Sequence, residues 1–160
     1  MRDFVVEVKR LEPMRVASVR VVGENPERDA WQRLRAWAES RGIQENLARQ
    51  PVFGFSNPNP VPFKKEYGYE VWCCVGPEVD GRGEVEVKEV PGGLFAATTC
   101  KLRGDPSGLD ISEAWLKLWE WVQASPYKWR TAQELERPLD PHASVEDMVL
   151  ELWLPVEEKT

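Results

Sequence analysis

Histidine occurs once in the 160 residues, at His142, and cysteine three times, at Cys73, Cys74 and Cys100. A single histidine makes a zinc site improbable and removes the usual general base of Ser–His and Cys–His catalysis. Cys73 and Cys74 are adjacent, so on a strand their side chains point to opposite faces, and no metal-ligand spacing is present. The expectation is three reduced, buried thiols with no metal and no cofactor. His142, in the polar stretch LDPHASVED, is read as a loop residue. No apolar run approaches the roughly 20 residues that span a bilayer, and MRDFVVEVKR lacks a signal-peptide pattern, so a cytoplasmic protein is expected. Basic residues are also in deficit, 21 Lys plus Arg against 27 Asp plus Glu, which argues against a nucleic-acid partner. Cationic or neutral partners fit better. The length suits one domain, 1–160, large enough to bury a real core.

Tryptophan is abundant, with eight residues. Its large stiff face serves cores and sites that hold flat or cationic ligands. Two tryptophans share a pattern. In YEVWCCV, residues 69–75, Glu70 stands two places before Trp72; in LELWLPV, residues 150–156, Glu151 stands two places before Trp153. Strand alternation puts each Glu and Trp on one face and an apolar set on the other: Tyr69, Val71, Cys73, Val75 and Leu150, Leu152, Leu154, Val156. The apolar faces are expected to meet helices.

The repetition extends further. VEVKRLEP from Val6 matches VEVKEVPG from Val85, and AWQRLRAW from Ala30 matches AWLKLWEW from Ala114. With the Glu-x-Trp pair, that makes three matches in the same order about half the chain apart, the mark of a duplicated unit with halves of about 1–80 and 81–160. Each unit reads as strand, turn, strand, helix, irregular segment and strand, with a further strand before the last. Helix one has Asn25 as N-cap, Pro26 first, a stripe of Trp31, Leu34 and Ala38, and Gly42 beyond its end. Helix two starts near Asp110, with Glu113 as capping-box partner and a stripe of Ile111, Trp115, Leu118 and Val122. EPM and PGG are turns, with Gly92 and Gly93 free to take positive φ. Pro58, Pro60 and Pro62 make FGFSNPNPVPFKKEYGY an extended loop, and RTAQELERPLDPHASVED is its counterpart. The fold class is α+β: duplicated ββαββ-like units forming an antiparallel sheet, two helices on one face, and a central ligand groove.

PGGLFAATTCKLRG, AWLKLWEWV and ELWLPVE, with FGFSNPNP and YGYEVWCCV in the first half, resemble the GyrI-like superfamily, the effector-binding domain of multidrug-responsive bacterial transcription activators. The resemblance covers nearly the whole chain, and the PGG hairpin and the Glu-x-aromatic-x-Pro-Val ending carry it most specifically. It implies a stand-alone member with an aromatic-lined pocket for lipophilic, often cationic, small molecules. It also implies that Glu151 matches the family's recurrent acidic residue on the last strand.

A carboxylate in an apolar groove tends to protonate or to find a cation, and a cation between it and aromatic faces gains twice. Glu151, Glu70, Trp72 and Trp153 are therefore the expected ligand-binding residues. Trp119 is expected to cover a groove end, and Phe53, Phe55, Tyr67 and Tyr69, flanking the loop, to line or lid it. The leading reading is a hydrophobic- or cationic-compound binder in sensing or sequestration. An alternative is a metal-independent hydrolase of cyclopropane-containing toxins, with Glu151, raised in pKa by burial, as its catalytic residue. A third is interaction with a protein such as gyrase.

Overall fold

Apolar and charged residues alternate in EVKRL, and this stretch forms the first strand of an α+β fold. The structure, a computed structural model, describes residues 4–101, 111–140, 143 and 148–160. In chain order the elements are β1 (Glu7–Leu11), β2 (Met14–Gly23), α1 (Pro26–Ser40), α2 (Asn46–Arg49), β3 (Val52–Ser56), β4 (Tyr67–Cys74), β5 (Glu86–Val90) and β6 (Gly93–Lys101). They continue with α3 (Ile111–Ala124), β7 (Tyr127–Trp129), β8 (Leu135–Pro138) and β9 (Val149–Glu158). Strand pairing is antiparallel within each of two compact units. The expected helix start at Asp110 and the loop residue His142 lie outside the described residues. No helix among the described residues is long and apolar enough to cross a membrane.

One unit comprises Met14–Val90 and the other Met1–Pro13 with Pro91–Thr160. In the first, the strand order is β3-β4-β2-β5; in the second it is β1-β6-β9-β8, with β7 also on β9. The VEVK strands are thus exchanged relative to halves of 1–80 and 81–160. The expected PGG hairpin is corrected for the same reason: β6 has β1 and β9 as its two neighbours, and β2 has β4 and β5. PGG therefore joins two strands without pairing them. Gly93 has φ +139°, as a glycine allows, whereas Gly92 is required by space, since a Cβ there would overlap the Leu11 carbonyl.

In each unit the helix covers the apolar strand face. Ala30, Leu34 and Ala38 of α1 pack with Tyr69, Val71 and Cys73 of β4. Ala114, Leu118 and Val122 of α3 pack with Leu150, Leu152, Leu154 and Val156 of β9. Leu34 and Leu118 are fully buried at matching places, and truncating either to alanine would cost about 2–5 kcal/mol. Trp31 and Trp115 lie at the margins of these two cores. Asn25 and Pro26 do start α1, although the Asn25 side chain makes no capping hydrogen bond. The stretch read as a proline loop is partly strand: β3 ends at Ser56, before the first of the prolines, and pairs with β4. Likewise β8 lies inside RTAQELERPLDP.

Candidate functional site

Each Glu-x-Trp pair lies on an inner strand of its unit, on the face away from the helix. Residues two apart on a strand share a face, so the indole of Trp72 reaches back to donate to Glu70 at 2.7 Å. Trp153 does the same to Glu151 at 3.1 Å. The oddity of a carboxylate in a buried strand resolves locally: the tryptophan supplies a donor as well as bulk.

The second partner in each unit is a lysine from a VEVK strand. Lys88 of β5 donates to Glu70 at 2.6 Å and stands 5.6 Å from the centroid of the Trp72 ring. Lys9 of β1 donates to Glu151 at 2.8 Å and stands 5.8 Å from the Trp153 ring. Glu, Trp and Lys thus form the same triad twice. Beyond it the copies diverge. Glu70 accepts two neutral donors, Ser18 Oγ at 2.8 Å and Asn57 Nδ2 at 3.0 Å. Glu151 instead accepts Arg137 Nη1 at 3.1 Å, from the residue facing it across β8. Phe55 faces Glu70 at the corresponding place and meets Trp72 edge-on at 4.8 Å between centroids. Phe95 lies against Trp153 at 5.4 Å.

The electrostatics correct one expectation. Burial by itself would raise the Glu70 carboxyl, but hydrogen bonds from Lys88, then Trp72, Ser18 and Asn57, outweigh it and hold the group below the ordinary glutamate value. Burial likewise pushes Glu151 up, and Lys9, Trp153 and Arg137 more than reverse it. Glu151 is an ionised carboxylate between two cations, and its pKa is lowered rather than raised.

The structure brings Glu70, Trp72, Phe53 and Phe55 to one face of the first unit, and Glu151 and Trp153 to the matching face of the second. It separates the others. Tyr69 packs in the helix-side core, and Tyr67, two places before it on the same face of β4, donates to Glu27 of α1 at 2.5 Å. Both tyrosines therefore lie opposite Glu70. Trp119 is 41% exposed on α3, which covers the face of β9 opposite Glu151. Cys73 is buried in the helix-side core and Cys74 lies on the other face, its thiol near the Met14 sulfur. Residues the sequence reading passed over are Lys9, Lys88, Arg137, Ser18 and Asn57. The available signal was the lysine of VEVK, identical in both copies and half a chain apart like the glutamates.

The GyrI-like family, described as a small-molecule-binding domain, matches residues 4–157. This chain belongs to the GyrI-like family. It is a GyrI-like small-molecule-binding domain, and each triad centres on a carboxylate with three or more donors. Among solved structures, the EcmrR C-terminal domain shares 16% identity with a TM-score of 0.69, covering 98% of this chain and 99% of that one. In the EcmrR–DNA complex the chain spans 58% of the length of EcmrR. A hydrolase from Listeria innocua is similar at 16% identity and TM-score 0.66, with 95% and 91% covered. SAV2435, solved bound to tetraphenylphosphonium, is similar at 13% identity and TM-score 0.52, with 96% and 94% covered. No curated protein sequence matches significantly.

Proposed function

We propose that this GyrI-like domain binds lipophilic, flat or cationic compounds at the Glu151 face and acts in their sensing or sequestration. The observation that carries this reading is the place of the Lys9 ammonium, 2.8 Å from the Glu151 carboxylate and 5.8 Å from the Trp153 ring. A cation held between a buried carboxylate and an aromatic ring is the chemistry a lipophilic cation would require. SAV2435, with its bound tetraphenylphosphonium, lends the same ligand class as support. Tetraphenylphosphonium is expected to bind and quench tryptophan fluorescence. Glu151→Gln is expected to weaken it by roughly 1–3 kcal/mol, the scale of a Coulomb attraction between a carboxylate and a cation without hydrogen bonds in a partly desolvated place. A neutral triaryl compound, triphenylphosphine oxide, should lose much less. Equal binding of both compounds by wild type and variant would refute the role of Glu151.

Hydrolysis of strained electrophilic rings is the second reading, supported by the likeness to the Listeria innocua hydrolase. A general base works best with a pKa near the operating pH, and two cations hold Glu151 well away from that. Binding is therefore the favoured function. Turnover of a cyclopropane-bearing electrophile by wild type, abolished in Glu151→Gln, would reverse that order.

A further inference from the structure

Two cations, Lys9 and Arg137, already serve the single Glu151 carboxylate. A third cation gains little there unless one of the residents leaves. Arg137 faces Glu151 directly across the β8–β9 ladder. Lys9 reaches it from β1, across the intervening β6, on a flexible four-carbon stem, and its side chain is 31% exposed. Lys9 also has somewhere else to go. Glu7 lies two places back on the same face of β1, 69% exposed, with its Oε2 already 3.8 Å from the Lys9 ammonium. Leaving Glu151 for Glu7 exchanges one ion pair for another, while Arg137 stays behind to keep the buried carboxylate paired.

We infer that Lys9 is a tethered competitor for the ligand cation, holding its place on Glu151 and withdrawing to Glu7 when a lipophilic cation binds. This rests on the binding function proposed above and adds a specificity residue to it. Lys9 then sets the affinity threshold: compounds must outcompete an ammonium that is always present, which favours cations with large aromatic surface over small hydrated ones. Neutral compounds do not need the ammonium's place and are unaffected by it.

The test is a tetraphenylphosphonium titration of wild type, Lys9→Met and Lys9→Gln, with triphenylphosphine oxide as the neutral control. Thermal melting is followed alongside to confirm that each variant is folded. Both Lys9 variants should bind the cation about five- to tenfold more tightly, the worth of one charged hydrogen bond reduced for partial exposure. Glu7→Gln should weaken cation binding about twofold, as for an exposed ion pair, and should have no effect once Lys9 is Met. Unchanged or weaker cation binding in folded Lys9 variants overturns the competitor role while leaving the binding function intact. A Glu7→Gln effect of equal size in both backgrounds overturns the withdrawal to Glu7. Absence of binding by wild type and by both Lys9 variants overturns the proposed function itself, and this inference with it.

Discussion

Replacing Glu70 with glutamine removes the charge at the more fully satisfied of the two carboxylates. Glu70 accepts Lys88, Trp72, Ser18 and Asn57 at 2.6–3.0 Å, with its side chain 5% exposed. A glutamine amide keeps one acceptor oxygen and presents two N–H donors to groups that are donors themselves. Three of the four bonds fall on Oε2 and only that of Asn57 on Oε1. An amide with its oxygen in the Oε2 place keeps Lys88, Trp72 and Ser18 and turns its N–H groups on Asn57. Each bond to a charged group is worth about 1.5–3 kcal/mol, and the lost charge weakens that of Lys88. Lys88 is a third exposed, so its share falls towards that of a surface pair. The net loss works out at about 2–3 kcal/mol, most of it from the Asn57 donor left facing an amide N–H and the rest from the weakened Lys88 bond. Glu151→Gln differs because an amide oxygen in the Oε1 place keeps both Trp153 and Arg137, and the one donor that loses its acceptor, Lys9, is 31% exposed and rehydrates. Its loss should be about 1 kcal/mol, within the range of partly exposed pairs. Urea unfolding followed by tryptophan fluorescence reads both, and an unchanged slope keeps the comparison valid. Equal losses, or a larger loss for Glu151→Gln, would refute the reading of Glu70 as the more fully satisfied carboxylate.

Both carboxyls are held below the glutamate reference of 4.5, so their contribution to stability is complete above that value and is lost as pH falls through it towards the folded values. The urea midpoint is expected to drop steadily below about pH 4.5, and less steeply in Glu70→Gln. A Cβ on Gly68 would overlap the Asn57 carbonyl, so Gly68→Ala must open the turn that aims Asn57 at Glu70. It should destabilise by about 1–3 kcal/mol in the same unfolding assay, and an unaltered midpoint would contradict this. Burial, reinforced by Cys74, pushes the Cys73 thiol up to about 12. A disulfide reagent at neutral pH should label Cys74 first and reach Cys73 only on unfolding, as read by peptide mass mapping.

Local periodicity carried most of the fold. Alternation in YEVWCCV and LELWLPV assigns every side chain to a face without knowledge of the neighbouring strands, and the helix-side cores follow that assignment. The same alternation puts Tyr67 and Tyr69 opposite Glu70, and it outweighs their nearness to the loop as a guide to which face they line. FGFS was misread because proline restrains only itself and its immediate neighbour, and β3 ends before Pro58. Strand neighbours are another matter. Lys9 and Glu151 are 142 residues apart in sequence, and nothing local says that β1 pairs with β6 beside β9. The VEVK repeat announced a duplication, but which copy of the lysine serves which glutamate is decided by sheet order alone.

The divergence between the triads is the reason the proposed ligand site is placed at Glu151 and not at Glu70. Glu, Trp and Lys recur in both units, and together they neutralise the charge and supply the carboxylate with a ring N–H and an ammonium. What changed is the remaining ring of partners. In the first unit Ser18 and Asn57 complete Glu70 with neutral donors, so releasing Lys88 would strand a carboxylate in a buried place, at a cost of several kcal/mol. In the second unit Ala97 stands opposite Trp153 where Ser18 stands opposite Trp72, and Arg137 completes Glu151 with a second cation. Releasing Lys9 there leaves a neutral Arg137–Glu151 pair. The arginine makes the lysine dispensable, and a dispensable cation beside a tryptophan is a place that another cation can take.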